Sequence, residues 1–402
     1  MPRRQRLNSR PALASRKPGG ASLPKGAAAR AGSGAQSSAP PLRLGANAFV
    51  AHTQPGLEAV AWSEIAAKIA GAAEIGRRGV PERNGMMIFS APRPELLGAL
   101  RTVEDLFALV GYRRSLSTDR TGLEQARVAA RNAPYVEQGL AARVRLMPGR
   151  RAGKRLSFRV VTRVTGLQAF RRIDLQRAVE QGISERDDHK WRLGGDDAEV
   201  EFWATLLGDE LLIAIRLSDE RMRHRDYKAV HRPASLRPSV AAAMAWLSDP
   251  QDDDVVLDPM CGAGTILIER AHIGRYKMLL GGDSDPEALA AARTNVGARY
   301  KPIELRPWDA AALPLPDASA DKIITNLPWG IKAGSRGANR RLYPRLMAEF
   351  SRVLRPGGRM VLLTAETALM RDLIGRGQLK ANRIFTVTIL GRSAAIYTCR
   401  SA

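Results

Sequence analysis

The chain has 402 residues and 45% hydrophobic content, enough for two or three domains with cores of their own. No apolar run approaches the roughly 18 residues of a membrane span, and the two cysteines, Cys261 and Cys399, lie too far apart for a CxxC pair. That argues against a disulfide framework or a structural zinc and for a reducing, cytoplasmic setting.

The balance of 63 Lys and Arg against 40 Asp and Glu gives a net charge of +23. It favours a polyanionic partner, nucleic acid first; the bland alternative is an Arg-rich compositional bias. Residues 1–45 hold nine of those bases and no acid, so taking nine from +23 leaves +14 on residues 46–402. This segment is rich in Ala, Arg, Gly, Ser and Pro and cannot bury a core, so it is expected to be disordered. A basic arm, an organelle transit peptide and an over-long start are the open readings. The Pro and Gly residues leave little room for the amphipathic helix of a transit peptide.

Order is expected from Asn47. Residues 48–52 read as a strand, and Gln54-Pro55-Gly56-Leu57-Glu58 as a turn into a helix with Val60, Ala61, Ile65 and Ile69 at helical spacing. Met86 to Phe89 is a second strand. Pro94 to Val110 is predicted as a second helix with Leu97, Leu100, Val103 and Leu106 inward. A helix over 122–138 follows, then strands over 142–147, 157–163, 198–205 and 210–217, with a helix over 174–186 among them. Arg143, Arg145, Arg150, Arg151, Lys154, Arg155, Arg159, Arg163, Arg171 and Arg172 concentrate here. They form either a phosphate-binding face or a solvated one. Few aromatics interleave, so duplex backbone or tertiary shape fits better than single-strand stacking. Residues 218–238 read as a charged linker and 239–247 as an Ala-rich helix.

From Asp254 strands and helices alternate. Val255 to Asp258 is a buried strand, 259–264 a Gly-bearing turn, and 265–273 a helix. The second strand ends at Asp283, the third runs into Trp308-Asp309, and the fourth into Asn326. A helix over 342–354, a fifth strand over 360–364 and a hairpin of 384–390 with 394–399 close the chain. The pattern means a doubly wound parallel sheet with its ligand at the carboxyl ends of the strands. Gly262 and Gly264 let backbone approach that ligand. Asp283 stands where an acid takes ribose hydroxyls. Asp309 can accept from an adenine amine beside the wall of Trp308. In Asn326-Leu327-Pro328-Trp329-Gly330, the Asn326 amide oxygen and the Leu327 carbonyl are acceptors for an exocyclic amine, stiffened by Pro328, with Trp329 as a stacking face. The turn lacks the third glycine of GxGxxG and carries Asp258, unwelcome beside a pyrophosphate but suited to a cationic, amino-acid-bearing ligand. That favours S-adenosylmethionine over a nicotinamide dinucleotide. There is no P-loop, HExxH or Ser-centred elbow, the five histidines show no metal spacing, and neither cysteine is placed as a nucleophile.

Asp258-Pro259-Met260-Cys261-Gly262-Ala263-Gly264-Thr265, Gly282-Asp283-Ser284-Asp285 and Asn326-Leu327-Pro328-Trp329-Gly330 resemble class I S-adenosylmethionine-dependent methyltransferases acting on exocyclic amines. With Gln54-Pro55-Gly56-Leu57-Glu58, Arg225-Asp226-Tyr227 and Ser235-Leu236-Arg237-Pro238, residues 46–402 look most like the THUMP-domain tRNA guanine-N2 methyltransferases. The resemblance implies an α/β fold with a Rossmann-like methyltransferase domain over 239–402, preceded by an α+β ferredoxin-like domain over 46–115 and a THUMP domain over 116–217. It implies that Asp258, Pro259, Cys261, Gly262, Gly264, Thr265, Asp283, Ser284, Trp308, Asp309 and Asn326 line the cofactor pocket. Asn326 and Pro328 would hold the guanine amine, with Trp329 stacked on the ring. The implied partner is tRNA, with 23S rRNA as the alternative, for a monomer that leaves room for an activator subunit. Adenine-N6 methylation and non-catalytic RNA binding are the remaining readings. Leu327, in place of the usual Pro, argues against a DNA adenine enzyme, and the intact acidic set argues against a degenerate pocket.

Overall fold

The structure is a computed structural model, and it describes residues 39–80, 83–147, 155–232, 235–330, 335–377, 379–389 and 391–400. All fall in one unit, Ala35–Ala402. The expected disorder of residues 1–38, the contacts of Lys332, and Arg150, Arg151 and Lys154 lie outside the described residues. No helix among the described residues is long and apolar enough to cross a membrane.

The N-terminal half is built from β1 Ala48–Thr53, α1 Glu58–Lys68, β2 Ala73–Val80, β3 Asn84–Ser90, β4 Asp105–Arg113, α2 Thr121–Arg131, α3 Val136–Leu146, β5 Arg155–Thr165, α4 Arg172–Ser184, β6 Lys190–Leu193, β7 Val200–Leu207 and β8 Glu210–Arg216. Its eight strands make one sheet in the order β2-β3-β1-β4-β8-β7-β5-β6. Side chains alternate across the sheet. Phe49, Phe89, Val110, Phe158 and Ile215 face the helices, whereas Val50, Met86, Phe107, Trp203 and Leu212 form an outer apolar layer joined by Leu42. The sheet runs across the boundary expected at 115, because β4 pairs antiparallel with β8 from Phe107 opposite Arg216 to Arg113 opposite Leu211. The two α+β units therefore share one core.

Two expected elements differ. Residues 94–110 are not a helix: a 3-10 turn, Pro94–Ala99, gives way to β4, which is buried from Asp105 to Gly111. A three-residue apolar spacing cannot separate a helix from a central strand buried on both faces. Residues 142–147 are not a strand but the end of α3, where Val136, Leu140 and Arg143 are buried at helical spacing. The helix expected over 122–138 breaks between Arg131 and Val136 into α2 and α3. Strands β2 and β6 were missed.

Residues 218–238 carry α5 Arg221–His224 and lead into α6 Pro238–Leu247. Then follow β9 Val255–Asp258, α7 Thr265–Ile273, β10 Met278–Asp283, α8 Pro286–Val296, β11 Ile303–Pro307, β12 Ala320–Asn326, α9 Arg336–Val353, β13 Leu354–Thr364, α10 Thr367–Gly375, β14 Lys380–Ile389 and β15 Arg392–Arg400. The sheet order is β11-β10-β9-β12-β13-β15-β14. Strands β9 to β13 are parallel, and β15 turns antiparallel against β13. The chain reverses direction across the sheet between β9 and β12. Ligands of such sheets bind at that switch point, outside the carboxyl ends of the strands. The ends of β9, β10, β11 and β12 are Asp258, Asp283, Pro307 and Asn326.

Candidate functional site

Asp258 closes β9 and is only 1% exposed. Its Oδ1 accepts the Met260 N–H at 3.4 Å; its Oδ2 makes no hydrogen bond of ordinary geometry, and the Thr325 hydroxyl is the donor beside the carboxyl. Burial pushes this carboxyl up to about 7; the Thr325 hydroxyl and the Met260 N–H pull the other way, and the Asp283 charge adds to the rise. A buried acceptor so poorly supplied with donors is costly, and this one belongs to the residue that opens the turn where the sequence calls for a ligand. Gly262 follows with φ +53, and a Cβ built there would meet nothing within 4 Å. Gly264, at φ +78, is the left-handed cap that starts α7, and it packs on Ala292 of α8. Cys261 and Thr265 are buried, and burial pushes the Cys261 thiol up, so it is no nucleophile.

Asp283 staples two loops together. Its Oδ2 accepts the Gly262 N–H at 2.9 Å and its Oδ1 the Asp285 N–H at 3.0 Å. The cap of α8 is Asp285, which accepts the Glu287 N–H at 2.9 Å, so Asp283 is free of that structural duty. Ser284 is exposed beside it. Trp308 is a buried wall: its Nε1 donates to the Pro259 carbonyl at 3.0 Å, and its ring fills the place of a side chain at Gly282, where a Cβ would lie 1.9 Å from Cε2. Asp309 is exposed, accepts the Ala311 N–H at 2.9 Å, and lies 3.7 Å from Arg345. Asp258, Cys261, Gly262, Asp283 and Trp308 are thus joined through their contacts around one turn, and Asp309 stands at its rim.

At the end of β12, Leu327 is fully buried and donates its N–H to Leu363 at 2.9 Å. The Pro328 carbonyl accepts from the Asn339 side chain at 2.9 Å and the Tyr343 hydroxyl at 2.8 Å. With its proton so used, Tyr343 accepts from the Thr364 hydroxyl at 2.7 Å. Asn339 and Tyr343 are one turn apart on α9, so this helix holds the loop from behind. Asn326 is half-buried, and its Oδ1 accepts the Trp329 indole N–H at 3.0 Å. The amide oxygen read from sequence as an open acceptor is thus capped by the aromatic three residues on.

Sequence reasoning missed the supports. Asn339 and Tyr343 were unassigned, as was Asn295, which donates to the carbonyls of Ala263 at 3.0 Å and Val230 at 3.1 Å and ties the joining segment to the turn. A polar residue at a core position of an apolar helix face is the signal that could have found them. Glu269 of α7 was missed too. It is fully buried and takes Arg101 at 2.6 and 3.0 Å and the Tyr227 hydroxyl at 2.6 Å, so it joins both halves. Among the described residues no three His, Cys, Asp or Glu gather as metal donors.

Comparison with known proteins finds methyltransferases. The family described as UPF0020, RMKL-like, methyltransferase domain, matches residues 225–394. The tRNA (guanine(6)-N(2))-methyltransferase THUMP3 of Mus musculus is 35% identical over 224 residues, covering 52% of this chain and 44% of that protein. The tRNA (guanine(6)-N2)-methyltransferase of Archaeoglobus fulgidus is 26% identical over 353 residues, covering 79% and 83%. The crystal structure of TrmN from Thermus thermophilus superposes with a TM-score of 0.71 at 26% identity, over 88% of this chain and 99% of that one. The chain spans about half the length of the mammalian curated relatives it matches.

Proposed function

We propose that this protein transfers a methyl group from S-adenosylmethionine to the exocyclic N2 amine of a guanosine in tRNA. The observation that carries the reading is the pairing of two strand ends. A buried carboxyl at Asp258, with one oxygen making no hydrogen bond of ordinary geometry, stands in the same row of strand ends as an amine-type clamp at Asn326 to Trp329. The names of the curated relatives support guanine N2 and tRNA.

The residues present fit the cofactor. Asp258 offers an anionic acceptor for an amino-acid ammonium, Gly262 an open backbone face, Asp283 and Asp309 acceptors for ribose and adenine, and Trp308 an apolar wall. When bound, S-adenosylmethionine supplies the methyl group as a sulfonium electrophile. The protein's part is then mainly to position. Asn326 and the Leu327 carbonyl hold the amine and aim its lone pair. Pro328, fixed by Asn339 and Tyr343, keeps those acceptors still, which is worth more than their number because they need not reorganise. Trp329 covers the base once it has left Asn326. The eight-stranded half, read as ferredoxin-like and THUMP units, docks the RNA in the cytoplasm.

Nucleoside mass spectrometry of tRNA from a deletion strain tests the reading. N2-methylguanosine should fall and return on complementation. An unchanged tRNA level would reject it, and loss from ribosomal RNA alone would move the substrate there.

A further inference from the structure

Most cations on the N-terminal sheet are already neutralised. Arg159 pairs with Glu201 and Asp196, Arg171 with Asp174, and Arg78 with Glu210. Arg163 is different. It leaves β5 on the outer face, lies over the Trp203 ring at 4.5 Å from the centroid, and donates to the Asn84 side-chain oxygen at 2.6 Å. No carboxylate is in ion-pair contact with it among the described residues. The nearest source of negative charge, Asp105, is 1% exposed and already saturated: Arg216 takes Oδ1 at 2.8 Å, Arg223 takes Oδ2, and Ser218 donates at 3.3 Å. Burial first, then the Arg83 and Arg223 charges, hold the Arg163 guanidinium below its ordinary range, with Asp105 opposing. His52 beneath them is kept neutral by burial and by Arg163, Arg223 and Arg216.

These cations converge from separate parts of the chain. Arg83 comes from the β2–β3 turn, Arg163 from β5, Arg216 from the end of β8 and Arg223 from α5. Asp105 and Glu201 match Arg216 and Arg223, but Arg163 and Arg83 beside them have no ion-pair partner among the described residues; an anion relieves that excess, and bidentate Arg geometry suits a phosphate. The position is also telling. Asp105 opens β4 and His52 lies near the end of β1. Their neighbours reach the catalytic half: Glu104 takes Arg237 at 3.0 Å, and the Gln54 side chain donates to the Thr388 carbonyl at 2.6 Å. The cluster therefore sits at the end of the sheet that abuts the methyltransferase half.

We propose that Arg163, Arg223 and Arg83 form a binding site for a phosphodiester of the substrate RNA, with Trp203 as the platform that orients Arg163. The inference rests on the RNA-methylating reading above. It places one backbone contact beside the junction, where the RNA passes from the docking sheet toward Asn326.

The test is fluorescence anisotropy of labelled, unmodified tRNA transcript with the full chain, from 50 to about 300 mM salt. Arg163→Gln and Arg83→Gln should each weaken binding about tenfold and lower the salt slope by about one, while Arg163→Lys keeps the slope. Calorimetric affinity for S-adenosylmethionine should stay within about twofold in all three, which also shows that each is folded. Arg83→Gln, on an exposed turn, covers the case in which Arg163→Gln does not fold. If wild type binds and methylates tRNA and both Gln variants keep its affinity and slope, the phosphate site is wrong and the function stands. If wild type neither binds nor methylates tRNA, both fall.

Discussion

Asp258 makes the proposed cofactor site sensitive to pH, and Asp258→Asn is the perturbation that isolates it. The carboxyl is 1% exposed, and burial moves it from 3.8 to about 7. With that value about three quarters of the protein carries the carboxylate at pH 7.5 and about 3% at pH 5.5. A ligand cation that needs the charge then binds about 25-fold more weakly at the lower pH, or ~1.9 kcal/mol. Folding moves the other way. A carboxyl raised by folding keeps a proton that the unfolded chain has released, so ionising it costs stability. Between 3.8 and about 7 this group alone therefore makes the ligand-free protein more stable as pH falls, by up to about 1.4 kcal/mol per unit. Calorimetric titration with S-adenosylmethionine at pH 5.5, 6.5 and 7.5, in two buffers of different ionisation enthalpy, reads both affinity and protons. Wild type should release nearly one proton on binding at pH 6, and Asp258→Asn none, with a flat and uniformly weak affinity. An Asn variant that keeps the 25-fold pH loss would refute the reasoning.

Tyr343→Phe removes the hydroxyl that links the Pro328 carbonyl to Thr364. Losing these bonds costs about 1–3 kcal/mol. If all of that is lost from the transition state, kcat should fall about 5- to 150-fold at unchanged cofactor affinity; wild-type turnover would show that the loop needs no support. Gly282→Ala puts a Cβ 1.9 Å from the Trp308 ring. Displacing that ring should lower stability by about 1–3 kcal/mol and abolish the thermal shift with S-adenosylmethionine; an unchanged melt and shift would contradict the packing. Arg101→Met and Glu269→Gln each leave a buried charge or its partners unmatched, at about 3–5 kcal/mol. In urea denaturation the double variant should cost clearly less than the two together, and strict additivity would deny the pair any role in joining the halves.

The C-terminal half was legible because each strand end is marked by a residue whose chemistry does not depend on distant partners. Asp258 ends an apolar run, Gly262 and Gly264 bracket a turn that needs positive φ, and α7 follows with the bounds expected. Asn326 ends β12 as the sequence implied. What Asn326 touches was not legible, because the Trp329 contact is a choice among loop conformations that share one sequence. Likewise nothing local says that Asp283 reaches back 21 residues to Gly262. In the N-terminal half the marks are weaker. Leu97, Leu100, Val103 and Leu106 carry a helical spacing, yet β4 between β1 and β8 needs apolar residues on both faces, and such a strand erases its own alternation.

Glu269 shows why the two halves cannot be read separately. Helix α7 starts at the glycine that closes the turn after β9 and, little more than one turn later, presents a fully buried carboxylate. Arg101, from the N-terminal half, and Tyr227, from the joining segment, both end on that carboxylate. Any tilt of the N-terminal sheet therefore pulls on the helix that follows Gly264. A side chain buried this way, held by a guanidinium on one side and a hydroxyl on the other, has one low-energy position rather than a range. The set of the N-terminal half is thereby tied to the element that also shapes the turn beside Asp258. A sequence in which Glu269 reads as one more acid in an apolar helix gives no hint of this, because its partners lie 168 and 42 residues away.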